Sequence, residues 1–314
     1  MNPLSNVYGF MGKMRNRLYD RGVLRAQRLQ AAVVSVGNLS TGGTGKTPFI
    51  LMLGELLKAR RISFDVLSRG YGRRSRGALL VDPTGSAPEF GDEPLLIARR
   101  LNVPVIVGED RYRAGLFAEA RFRPQLHLLD DGFQHRALAR DFDIVLTAPE
   151  DAQEQLLPSG RLREPLAALC RADAIVLQGA ASDDAYTSFG KPIWRMSRTI
   201  SPQHIAVPSV VFCGIARPQQ FALQLRMAGV ELAAEAFFRD HHRYTEKDIH
   251  DLLALRQKSA AAGFVTTEKD AINLGENASR LQPLSVVPLK LELKDAANVV
   301  DTILRTIAER KGSA

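Results

Sequence analysis

The stretch STGGTGKT at 40–47 combines three glycines with a lysine and a closing threonine. Glycines let a backbone curl so that successive N–H groups point at phosphate oxygens, and the helix that follows adds its positive end. In such a loop Lys46 would reach the phosphates of a nucleotide and Thr47 would offer its hydroxyl to Mg²⁺. Thr41, Gly42, Gly43, Thr44 and Gly45 supply the cradle. The pattern departs from G-x-x-x-x-G-K-[ST] at its first position, Ser40, and the three glycines that follow compensate for the lost flexibility. A phosphate loop also needs an acidic partner to organise a metal. The segment QLHLLDDGFQHR at 125–136 supplies one, as an apolar strand ending in Asp130 and Asp131. A doubly wound sheet places its ligands at such strand ends.

These residues need a scaffold, and the flanking segments describe it. AVVSVG at 32–37 reads as a buried strand, and PFILMLGELLKARR at 48–61 as a helix, so the loop sits in a strand–loop–helix unit. Further short apolar runs at 63–67, 104–107, 126–129, 142–147 and 174–178 alternate with stretches that suit helices. The alternation implies an α/β fold with a doubly wound, mostly parallel sheet of the P-loop NTPase kind. RTISPQHIAVP at 198–208 has two prolines and no period, and reads as a linker. Beyond it are expected a strand at 209–213, a helix near 217–228, a strand near 231–238, a helix at 245–257, strands at 263–266 and 285–291, and a helix at about 295–310. The expected division is a P-loop domain over 1–200 and a second, smaller α/β lobe over 201–314 that closes over a cleft.

The chain of 314 residues is 45% hydrophobic and 24% charged, ordinary for a globular protein, which excludes a disordered chain but names no function. Its two cysteines, Cys170 and Cys213, form no C-x-x-C pair, so a reducing cytoplasm is the expected compartment. No apolar run approaches the roughly 18–20 residues that span a bilayer, and the N-terminus lacks a signal-peptide core, so membrane contact is expected to be peripheral.

Lys and Arg number 42 against 34 Asp and Glu, a net charge of +8. Residues 1–28 alone hold Lys13, Arg15, Arg17, Arg21, Arg25 and Arg28 against Asp20, or 6 − 1 = +5. On a helix, Leu4, Val7, Tyr8, Met11, Met14 and Leu18 share a stripe flanked by Phe10 and Tyr19. Two readings stay open: an amphipathic helix lying among lipid headgroups, with Arg15 snorkelling, or a helix packed on the protein's own core.

VGNLSTGGTGKTP at 36–48, SRGYGR at 68–73, GDEP at 91–94, LDDGFQHR at 129–136, GRLREP at 160–165, DHHRYT at 240–245 and TTEKDA at 266–271 resemble, in order and spacing, the tetraacyldisaccharide 4′-kinase family. The resemblance runs from the N-terminal helix to roughly residue 275. It implies an ATP- and Mg²⁺-dependent kinase that phosphorylates the 4′-hydroxyl of a tetraacylated glucosamine disaccharide 1-phosphate in lipid A biosynthesis, with lipid IVA as product. It further implies a monomer, peripheral at the cytoplasmic face of the bacterial inner membrane, its acceptor a lipid-linked disaccharide. By the same resemblance Asp130, Asp131, Gln134 and Glu164 surround nucleotide and Mg²⁺, and His135 and Arg163 position phosphates. Asp92 resembles the family's catalytic base and His241 its partner from the second lobe.

From the residues alone, other readings stand beside these. GDEP is also a helix N-cap followed by Glu93 and Pro94 in the first turn, and DHHRYT also a loop and N-cap. Arg69 and Arg73 suit an anionic ligand or a solvated turn, and Glu268 with Lys269 a structural strand-end pair. His127, His204 and His250 match no motif. For the whole chain, the alternative is a membrane-associated P-loop ATPase switch of the partitioning or targeting type, although such switches often carry Lys where this loop has Thr41. A nucleic-acid-associated P-loop protein is a third reading, opposed by the clustering of the basic excess in one amphipathic helix and by the lack of any nucleic-acid-binding motif.

Overall fold

The computed structural model describes residues 3–179 and 182–312. The polypeptide opens with α1 (Pro3–Asp20) and then builds β1 (Ala32–Asn38), α2 (Lys46–Ala59), β2 (Phe64–Ser68), β3 (Leu79–Leu80), α3 (Ala87–Phe90), α4 (Asp92–Leu101), β4 (Val105–Val107), α5 (Arg111–Phe122) and β5 (Leu126–Asp130). It continues through β6 (Phe142–Thr147), β7 (Ala174–Gln178), α6 (Asp184–Thr187) and β8 (Ile193–Ile200). These strands and a late arrival, β13 (Leu289–Leu293), form a nine-stranded sheet in the order β13-β8-β7-β6-β1-β5-β2-β4-β3. Its interior pairs are parallel, and only the edge strands β3 and β13 run antiparallel.

The burial of β1 explains the parallel arrangement. All its residues are buried, and successive side chains feed opposite layers. Val34 and Val36 join a core built with Phe49, Ile50 and Leu53 of α2, while Val33 joins one built with Ala114 and Ala118 of α5. The phosphate loop therefore leaves the middle of the sheet, where both faces are covered.

The second lobe consists of β9 (Ser209–Cys213), α7 (Pro218–Met227), β10 (Leu232–Phe237), α8 (Glu246–Lys258), β11 (Gly263–Thr267), α9 (Glu268–Leu274) and β12 (Leu284–Val287). Its sheet is parallel in the order β10-β9-β11-β12. The Thr245 hydroxyl accepts the Asp248 N–H, and the Asp248 carboxylate accepts the Thr245 N–H, a reciprocal cap that starts α8.

The lobe ends sooner than the expected 201–314. After β12 the chain returns to the large sheet as β13 and finishes in α10 (Ala296–Gly312), because Leu291, Leu293, Val299, Val300, Ile303 and Ile307 belong to the larger core. The single strand expected at 285–291 is two strands in two sheets, separated at Pro288, which has no N–H for a ladder. The expected linker at 198–208 likewise begins later, since β8 continues to Ile200.

His127 finds its place here. It sits opposite Asp65 on the neighbouring strand, both side chains fully buried, with Nδ1 2.8 Å from Oδ1. Nε2 lies 3.5 Å from a Glu119 carboxylate oxygen. Burial raises the Asp65 carboxyl even though His127 opposes the rise. Replacing His127 by Ala would leave this carboxylate without its donor, and is expected to cost about 3–5 kcal/mol of stability. Because His127 lies near the start of β5 and the site at its end, turnover of the folded fraction should hold. Urea unfolding measures the cost, and a loss below about 1 kcal/mol would contradict the assignment.

Candidate active site

The phosphate loop turns at Gly42, Gly43 and Gly45, whose φ angles are 85°, 37° and 86°. These values favour glycine. Ser40 is not among the positive-φ residues, so the first position tolerates a side chain. Asn38 braces the loop from the end of β1, donating to the Ser40 carbonyl at 2.6 Å and to the Thr44 hydroxyl at 2.8 Å. Lys46 donates to Asn38 Oδ1 at 3.1 Å and lies 3.5 Å from Asp131. Thr47 stands in the first turn of α2. The Thr41 N–H donates to the Arg161 carbonyl, and the Arg163 N–H to that of Leu39, so the 161–163 segment supports the loop from outside.

At the end of β5, Asp131 adopts φ 50°, a left-handed conformation that a non-glycine residue pays to hold. Arg163 holds it with a two-pronged ion pair at 2.8 and 2.9 Å. Burial would raise the Asp131 carboxyl, but Lys46 and Arg163 outweigh it and keep the group well below the usual carboxylate range. Asp130 goes the other way. Burial, then the charges of Glu93 and Asp131, push it up to about 7 against the Ser68 hydroxyl that donates to it at 2.8 Å. Its other oxygen, Oδ1, is buried with no hydrogen-bond partner. A buried carboxylate left so exposed to repulsion is short of a cation.

The four side chains expected at a metal do not converge equally. Glu164 is engaged by Arg171 at 2.9 and 3.1 Å and by Asn16 of α1 at 2.7 Å, which makes it a tether for the N-terminal helix. The Gln134 amide donates to the Asn38 carbonyl at 3.0 Å, bracing the loop. Among the described residues no three His, Cys, Asp or Glu side chains form a ready cage. Thr47 and Asp130 remain with donor oxygens to offer. His135 is pushed down to about 4 by burial and then by Arg111 and Arg140, with Arg69 adding to the effect. It is therefore a neutral hydrogen-bonding group at pH 7.

The third part of the site joins the two lobes. Asp92 is the first residue of α4, not its cap, which is Gly91. Its Oδ1 accepts the Glu93 N–H at 2.9 Å, and its two oxygens lie 3.0 and 2.9 Å from His241 Nδ1. Asp92 of α4 and His241 of the second lobe are thus joined by a direct hydrogen bond. His241 also adopts a left-handed backbone, φ 58°. Asn273 of α9 donates to Asp92 Oδ2 at 3.0 Å.

Lys269 completes the cluster. Its Nζ lies 2.8 Å from Asp240, 3.6 Å from Glu93 and 3.1 Å from His241 Nε2. Glu268 turns away to Arg100, so the expected Glu268–Lys269 pair does not form. Since an ammonium can only donate, Nε2 must accept and the proton sits on Nδ1, facing Asp92. Burial works against ionised Asp92, but the His241 hydrogen bond and Lys269 outweigh it and lower the carboxyl to about 2. For His241, burial pushes down while Asp92 pulls up, and the net is upward. Proton uptake would turn Nε2 into a donor and expel Lys269.

Several of these residues escaped the sequence. Asn273 and the buried Arg111, which raises the positive potential around His135, carry no local signature, and Lys269, although it lies in TTEKDA, shows nothing in sequence of its contact with His241. Arg73 proves structural, bridging Glu109 at 2.7 Å and the Gly77 carbonyl.

The helix α1 borders this site. It docks through its small and polar face: the Ser5 hydroxyl donates to the Leu156 carbonyl, a Cβ on Gly9 would meet Leu156 at 2.8 Å, and Asn16 reaches Glu164. Leu4, Val7, Tyr8, Phe10, Met11 and Met14 are all exposed, so the apolar stripe faces outward. Leu18 is half-buried. No helix among the described residues is long and apolar enough to cross a membrane.

A family profile described as tetraacyldisaccharide-1-P 4′-kinase matches residues 1–308. A tetraacyldisaccharide 4′-kinase from Koribacter versatilis (strain Ellin345) is 52% identical, the alignment covering 99% of this chain and 100% of the relative. One from Aquifex aeolicus (strain VF5) is 38% identical over 87% of this chain and 88% of its own length. In three dimensions the chain is similar to the crystal structure of the "apo" form of LpxK from Aquifex aeolicus in complex with ATP, with a TM-score of 0.79, 34% identity, and coverage of 97% and 98%.

Proposed function

This chain belongs to the tetraacyldisaccharide-1-P 4′-kinase family, and from that premise we propose that it transfers the γ-phosphoryl group of ATP to the 4′-hydroxyl of a tetraacylated glucosamine disaccharide 1-phosphate, forming lipid IVA in lipid A biosynthesis. The observation that carries the reading to particular residues is the Asp92–His241 hydrogen bond, which unites the two lobes beside the phosphate loop. The backbone N–H groups of 42–47 and the Lys46 ammonium hold the phosphates, with Arg163 steadying Asp131 beside them. Asp92 receives the acceptor's proton. A carboxylate at about 2 is a weak base, which suits a transfer whose proton moves late. His241 holds Asp92 in position, and Lys269 fixes the tautomer of His241.

Mg²⁺ is bound by one or two carboxylates together with phosphates and water, and Thr47 and the unpartnered oxygen of Asp130 fit that requirement. When bound, the ion would neutralise charge on the β- and γ-phosphoryl oxygens. The alternative, an ATPase switch, separates in one assay. ADP release should depend on the lipid disaccharide, and release at full rate without acceptor would favour the switch.

The outward apolar face of α1, with Lys13, Arg15, Arg17 and Arg21 around it, supports peripheral attachment to the cytoplasmic face of the inner membrane, where the acyl chains of the acceptor lie. Phe10 and Met11 touch no core, so replacing both by Asp is expected to leave thermal unfolding unchanged. Losing two such anchors, each worth about 1.5–3 kcal/mol when buried in lipid, should weaken binding to anionic vesicles at least ~tenfold. It should also raise KM for lipid more than for ATP. Unchanged vesicle binding would remove α1 from the membrane contact.

A further inference from the structure

Arg198 lies on β8, the last strand before the chain crosses into the second lobe. Its guanidinium rests against the phosphate loop. Nη2 donates to the Gly43 carbonyl at 3.0 Å, and a Cβ on Gly45 would fall 2.7 Å from the same atom. It lines one cleft with Lys46, Thr47, Arg217 and Phe221.

What distinguishes Arg198 is the absence of compensation. Among the described residues it has no carboxylate partner, and its Nε is buried without a hydrogen-bond acceptor. The nearest charge of note is another cation, Arg217, which is itself committed to Glu150 at 3.0 and 3.3 Å. Burial and then Arg217 lower Arg198 to about 10. A half-buried guanidinium with spare donors and a like-charged neighbour is costly unless an anion completes it. The loop it touches is the one that cradles phosphate, and a guanidinium fork matches phosphate oxygens in two-pronged fashion.

We propose that Arg198 is a phosphate-binding residue of the nucleotide site, contributed by the strand that leads into the second lobe and closing the phosphate loop from that side. The proposal rests on the kinase reading above and adds to it a second cation, independent of Lys46, for the polyphosphate of the nucleotide. Gly45 fits the same picture, since a side chain there would displace the guanidinium.

The competing role is a staple, in which Arg198 only ties down the Gly43 carbonyl. Two variants separate the roles. Arg198→Gln keeps an N–H for that carbonyl and removes the charge, while Arg198→Lys keeps the charge and loses the fork. Calorimetry with pyrophosphate, ADP and adenosine, together with thermal unfolding of the nucleotide-free protein, reads the outcome. A charge-assisted contact predicts that Arg198→Gln weakens pyrophosphate and ADP binding on the order of 10–100-fold, with adenosine little changed and with Arg198→Lys between Gln and wild type. Nucleotide-free Tm should hold or rise, because an uncompensated cation is gone. Wild-type affinity for pyrophosphate and ADP in Arg198→Gln would overturn the proposal, as would a loss confined to adenosine. If the unaltered protein itself binds neither pyrophosphate nor ADP, the kinase reading fails instead.

Discussion

Replacing Lys46 by Ala is expected to abolish acceptor phosphorylation while leaving the fold intact. The lysine is outside every apolar core, and its contacts are Asn38 Oδ1 and the Asp131 carboxylate, both polar groups of the site. Asp131 keeps Arg163 after the change, so no buried charge is stranded. What disappears is a cation aimed at phosphoryl oxygens in a sheltered cleft, where preorganised charge counts for more than in water. A loss of about 10³-fold or more in kcat, roughly 4 kcal/mol of transition-state stabilisation, is expected. Steady-state kinetics and thermal unfolding check both halves. Turnover near wild type would remove 40–47 from the chemistry.

The second large effect concerns Asp92 and His241. Each single change to Ala should reduce kcat by about 10²–10⁴-fold, the range of a positioned acid–base group, while altering nucleotide Kd little. Neither change need unfold the protein, since Lys269 retains Asp240 and Glu93 after either one. The two side chains are hydrogen-bonded at 2.9–3.0 Å, so they are expected to act as a unit. The double variant should then be scarcely worse than the worse single one, so that the coupling is about as large as the smaller single effect, roughly 3–5 kcal/mol. Fully additive losses, or losses confined to ATP affinity, would assign Asp92 to the helix start or the metal and leave His241 another task.

Local chemistry made the phosphate loop legible, because glycines that must take positive φ and a GKT ending announce themselves in sequence. The buried runs of β1, β5, β6 and β7 were legible for a similar reason: strands covered on both faces read as continuous apolar segments. Long-range choices were not. Nothing local in LKLEL at 289–293 says that it leaves the small sheet for the edge of the large one, a decision made by burial of Leu291 and Leu293 in a distant core. Periodicity found the stripe on α1 but not which way it faces, since Ser5, Gly9 and Asn16, the side chains that dock, carry no apolar signal. At the site, nothing local to Glu164 says that Arg171 and Asn16 engage it. Arg198 and Lys269 are single basic residues whose meaning comes only from what the fold sets beside them.

The kinase reading is tested most directly by the product. Incubation with ATP, Mg²⁺ and the tetraacylated disaccharide 1-phosphate, followed by mass spectrometry and phosphorus NMR, should show one added phosphate on the 4′-oxygen of the distal glucosamine, with ADP formed in equal amount. ADP formed without any phosphorylated lipid, or a phosphate on another oxygen, would contradict it.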